Sequence, residues 1–135
     1  MKSPADIEAI TKTAMDYFEG WYDGDVARME RMVHPDLCKR GWKQDSTGVA
    51  HVNTITAKDL LSDTNLYTTA FQEFSAKPLT GTAPRPAELE IRVNVDDVHG
   101  DIATATIYTT VWIEYLQLVR IPDGWQVLNT LYARR

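Results

Sequence analysis

With 135 residues, 44% of them hydrophobic and 24% charged, the chain has the size and composition of one globular domain that can bury a core without disulfides or metals. The net charge of −5, with basic residues scattered apart from Arg134 and Arg135, argues against nucleic acid, which needs a clustered basic surface. A lone cysteine, Cys38, excludes an internal disulfide, and the lack of a signal-like or membrane-length apolar run points to a cytoplasmic protein with no membrane partner.

Ser3 and Pro4 open a helix, with Asp6 three residues after the capping serine. Ile7, Ile10, Ala14, Tyr17 or Phe18, and Trp21 continue it at helical spacing, and Asp23-Gly24-Asp25 stops it. Asp25 then caps a short second helix through Val33, which Pro35 ends, so that His34 falls at a helix boundary. Leu37 to Trp42 and Val49 to Ile55 read as short strands around a turn at Lys43 to Gly48. Thr56 and Asp59 form a second capping box, leading into a helix with Leu60 and Leu61. Lys77 to Ala87, with three prolines and a glycine, is a loop by composition.

Leu89, Ile91, Val93 and Val95 alternate with polar residues as a half-buried strand, and Val98 to Asp101 makes a hairpin turn. Asp101 to Arg120 is β-branched, aromatic and free of Pro and Gly, so it reads as one long central strand with a bend or bulge near Thr109 to Val111. Ile121 to Gly124 turns once more and Trp125 to Ala133 supplies the last strand. Helices followed by an antiparallel meander describe an α+β domain whose helices cover one face of a curved sheet.

Three stretches carry a family likeness: GWYDGDVARMERMVHPDL, the following KRGW, and EYLQLVRIPDGWQVLN. With the element order, they make the chain resemble the nuclear transport factor 2-like superfamily, shared with ketosteroid isomerase and scytalone dehydratase, and within it the putative lumazine-binding group. The resemblance implies one domain over residues 1–135, a cone with an internal pocket, and a homodimer formed through the sheet. The family pattern has an aspartate where Glu114 stands here, which keeps the charge and lengthens its reach.

A cone of this kind sets the terms for the candidate residues. His34 is a candidate general acid or base, because imidazole titrates near neutrality; alternatively its ring caps the last helical carbonyls. Glu114 is the second catalytic candidate if it faces the cavity beside Tyr108 and Trp112, where burial would raise its pKa. Alternation alone leaves its side open. Tyr17, Trp21, Trp42, Tyr108, Trp112 and Tyr132 are candidate ligand-stacking aromatics, with core packing as the rival account. Arg40 could hold a carboxylate or phosphate, and Asn129 could orient a ligand carbonyl. His34, His51 and His99 are far apart and no HExxH, CxxC, phosphate loop or dinucleotide fingerprint occurs, so neither a metal nor a cofactor is expected. The expected function is binding of a small planar or polycyclic, partly apolar molecule. If the chain is an enzyme, it would be a cofactor-independent isomerase or lyase using His34; the alternative is a non-catalytic dimeric interaction module.

Overall fold

The computed structural model describes residues 2–62 and 90–135. The first helix, α1, spans Pro4–Asp23. The Ser3 hydroxyl accepts the Asp6 backbone N–H, and Gly24 closes the far end in the left-handed conformation at φ 64°, which glycine adopts without strain. Asp25 caps α2, Val26–Met32, by accepting from the Arg28 backbone N–H. Arg28 then gathers the carboxylates of α1, reaching Asp16 at 2.7 Å, Asp23 at 3.6 Å and Glu19 at 3.7 Å.

Six strands follow: β1 Val33–Gln44, β2 Ala50–Thr56, β3 Arg92–His99, β4 Ile102–Tyr108, β5 Trp112–Ile121 and β6 Gly124–Arg134. They form one curved sheet in the order β2-β1-β6-β5-β4-β3, antiparallel throughout except where β1 runs parallel to β6. The last strand therefore lies inside the sheet, between the first strand and the meander. The Thr56–Asp59 capping box forms reciprocally, and residues 57–62 are helical. The expected loop at Lys77 to Ala87 lies outside the described residues.

Both helices cover one face of the sheet, α1 against β3, β4 and β6, and α2 against β1 and β6. Between them lies the core, which includes Ile10, Met29, Leu60, Ile107, Leu116, Leu118 and Val127. Burying each such side chain contributes about 1.5–3 kcal/mol relative to leaving it in water. Thr13 adds a polar anchor, its hydroxyl donating to the Trp125 carbonyl at 3.2 Å.

The segment expected to be one long strand is two. The chain reverses at Thr109, whose backbone N–H donates to the Trp112 carbonyl at 2.9 Å, and Tyr108 pairs directly with Ile113. The Thr109 hydroxyl builds the turn, accepting the N–H groups of Val111 at 3.1 Å and Trp112 at 2.7 Å. The meander thus contains four strands where the sequence suggests three. Irregular pairing at Val95/Asp97 and at Gln117/Leu118 adds two bulges, which bend and twist a sheet.

Candidate active site on the helix-covered face

Register determines which side chains meet. Asn53, Gly41, Tyr132, Glu114, Ile107 and Val93 are successive partners across the six strands, so they form one row on the face toward α1. The next row runs Ile55, Lys39, Thr130, Leu116, Ala105 and Val95. Gly41 is required here by close approach: a β-carbon on it would stand 2.3 Å from Cζ of Tyr132. The absent side chain lets the tyrosine ring lie over β1.

Glu114 is 3% exposed, yet it is an ionisable group amid apolar neighbours, so its partners matter. Tyr17, projecting from α1, donates its hydroxyl to Glu114 Oε2 at 2.6 Å. Lys39 donates to the Tyr17 hydroxyl at 2.7 Å and lies 3.2 and 3.3 Å from the two carboxylate oxygens. Its ammonium also sits over the rings of Tyr132, at 4.8 Å, and Tyr17, at 5.1 Å, where the ring faces attract a cation. Burial, the charge of Glu114 and the hydrogen bond to it hold the Tyr17 hydroxyl protonated well above the usual tyrosine range. Nearby, the buried hydroxyl oxygen of Thr130 has no hydrogen-bond partner among the described residues. A neutral donor, a carboxylate and an ammonium thus stand together beside one spare hydroxyl, an arrangement able to orient a polar ligand atom and move a proton.

Aromatic rings extend the site. Trp112 meets Tyr132 edge to face with centroids 5.8 Å apart, and its indole N–H donates to the Tyr22 hydroxyl at 3.3 Å. Trp21 packs edge-on against Tyr22 at 4.9 Å. Of the candidate residues, Glu114, Tyr17, Tyr132 and Trp112 are therefore brought together, with Trp21 reached through Tyr22. Lys39 completes the cluster, although sequence reasoning favoured its neighbour Arg40. The missed signal is the glycine two positions later, on the same strand face.

Other candidates lie elsewhere. Arg40, Trp42, Tyr108 and Asn129 belong to rows on the opposite, open face of the sheet, where Arg92 stacks on Tyr108 at 4.7 Å. Trp42 is 54% exposed there. The Asn129 amide donates to Gln117 at 3.1 Å, at the edge of an open-face depression of about 300 Å³ lined also by Asp97, His99 and Thr104. His34 is the second residue of β1, and its Nδ1 accepts the Asp36 backbone N–H at 3.0 Å, so it closes a local turn and does not cap α2. Among the described residues no group of three or more His, Cys, Asp or Glu is placed to hold a metal ion, and no helix is long and apolar enough to cross a membrane.

Searched against curated proteins, the chain has no match. Solved structures share its fold at low identity. An NTF2-like protein of unknown function from Methylobacillus flagellatus superposes with a TM-score of 0.70 at 17% identity, covering 99% of this chain and 95% of that one. One from Silicibacter pomeroyi gives 0.67 at 16% identity with all of both chains covered. A ketosteroid isomerase-like protein from Erwinia carotovora atroseptica gives 0.56 at 12% identity with 98% of each covered. Such likeness carries the cone-shaped NTF2-like fold. The family model described as putative lumazine-binding matches residues 5–133, almost the whole length, and the chain belongs to that family within the NTF2-like superfamily.

Proposed function

We propose that the helix-covered face binds a small planar, partly apolar molecule, with Glu114, Tyr17 and Lys39 as its polar end and Trp112 and Tyr132 as stacking surfaces. The observation that carries this reading is the buried Glu114–Tyr17–Lys39 cluster. A buried ion pair costs desolvation energy that apolar side chains of similar volume would not, so its presence favours a role beyond stability. The family's description gives fused heterocycles as the first chemical class to try.

The chemistry available is proton transfer. Glu114 would accept a proton from a bound ligand, Tyr17 would remain protonated and donate, and Lys39 with Thr130 would stabilise negative charge on a ligand oxygen. An isomerisation, dehydration or cyclisation fits those roles. Titrating lumazine and related fused-ring compounds while following tryptophan fluorescence tests binding; saturable quenching that weakens in Trp112→Phe and Lys39→Met supports it. Absence of saturable binding across the series removes the reading.

A second reading has its own observation. On the open face Trp42, Val52, Ile102, Tyr115 and Leu131 are all at least half exposed, and Tyr115 and Leu131 are direct cross-strand partners. An antiparallel sheet face of this kind suits a second copy of the chain, packed face to face. Sedimentation at micromolar concentration decides it, a strictly monomeric species being the refuting result.

A further inference from the structure

Two cationic side chains stand at the rim of the same site in a chain whose net charge is −5. One residue beyond the Trp42–Ala133 pair, Lys43 and Arg134 share the inward face of β1 and β6, and His51 stands directly across from Lys43 on β2. Lys43 Nζ is 5.8 Å from the Tyr132 ring centre, and the Arg134 guanidinium is 5.9 Å from that of Trp112. Both cations therefore border the edge-to-face aromatic pair proposed to stack on the ligand.

The nearby carboxylates are already engaged. Glu114 faces Lys39, which leaves that pair without net charge. Asp16, Glu19 and Asp23 on α1 are gathered by Arg28. Asp45, at the β1–β2 turn, accepts from the Thr47 hydroxyl and from the backbone N–H groups of Thr47 and Val49. Among the described residues neither Lys43 nor Arg134 has a carboxylate within ion-pair distance.

Two cations with no ion-pair partner among the described residues, beside an edge-to-face pair of rings, suit a ligand that joins a flat conjugated body to a negative group. We propose that this site takes planar molecules bearing an anionic substituent, a carboxylate or phosphate, which Lys43 and Arg134 hold at the rim while the ring lies on Trp112 and Tyr132. This rests on the binding reading above and names the ligand's charge. Arginine gives the substituent a forked donor and lysine a mobile one, so the rim favours the charged group without dictating a single ring.

The test compares 2-naphthoate with its neutral relative 2-naphthamide by calorimetric titration of the whole chain, at low and high salt. Naphthoate should bind about tenfold more tightly at low salt, with the advantage shrinking as salt screens the rim. Lys43→Gln and Arg134→Gln, both exposed positions, should erase that advantage while leaving naphthamide affinity within about twofold. Equal binding of the two probes, weakened alike by Trp112→Ala, would overturn the anionic preference and leave the binding reading standing. If neither probe binds saturably, both proposals fall.

Discussion

On the helix-covered face, Glu114, Tyr17 and Lys39 satisfy one another in the interior; on the open face, made by the same strands, Tyr115 and Leu131 stand half exposed with no covering layer among the described residues. At these positions the two faces reverse the usual placement, polar groups inside and apolar ones outside, although the covered face otherwise holds the apolar core. Alternation alone would permit the reverse assignment, with the carboxylate outside and the tyrosine within, and it would cost less desolvation. The contrast teaches that a buried ionic cluster and an exposed apolar pair each carry a solvation cost that the rest of the fold offsets. The buried cluster is the observation behind the ligand-binding proposal, and the exposed apolar pair the observation behind the proposal of a second copy.

Four measurements break or sharpen this contrast. The largest effect is expected from Glu114→Ala, which strands Lys39 in the interior and should lower unfolding free energy by about 3–5 kcal/mol in urea titrations. The double change Glu114→Leu with Lys39→Met should recover most of that loss while abolishing ligand binding. A double variant as unstable as the single would show that the cluster serves the fold. Next comes Gly41→Ala: its new methyl group collides with the Tyr132 ring, so a loss of about 1–3 kcal/mol is expected together with weaker fluorescence quenching by ligand.

The alkaline limb reports on Tyr17. Its folded-state pKa is raised by burial and by Glu114, so it contributes stability that is fully present below the unfolded value, about 10, and is lost as pH rises beyond it. Stability should fall by up to about 1.4 kcal/mol per pH unit there, and Tyr17→Phe should flatten the slope. Tyr22, also raised by burial, titrates in the same direction and leaves a smaller residual slope. The smallest effect on the monomer is expected on the open face: Tyr115→Asp should change unfolding by less than about 0.5 kcal/mol while shifting sedimentation toward monomer.

Much of the architecture can be read from local chemistry. Ser3, Asp25 and the Thr56–Asp59 pair announce helix starts because each side chain satisfies backbone groups within three residues. The Thr109 turn is hidden because it contains no Gly, Pro, Asn or Asp; its hydroxyl does what those residues usually do, and only three-dimensional pairing reveals the reversal. The site follows the same division. Glu114, Tyr17 and Trp112 stand out by type, whereas the exchange of Lys39 for Arg40 depends on which face of β1 turns inward. That choice is made by long-range pairing with β6. Asn129 sits among apolar neighbours and Trp42 among charged ones, and neither setting along the chain distinguishes the open face from the covered one.

The interior position of β6 has a consequence for how the protein is made. Until that strand emerges, β1 and β5 each display a row of unsatisfied backbone groups, and no local hairpin can bridge them. Without β6 the sheet is two separate pieces, β2-β1 and β5-β4-β3, so its continuity depends on contacts between residues far apart in sequence.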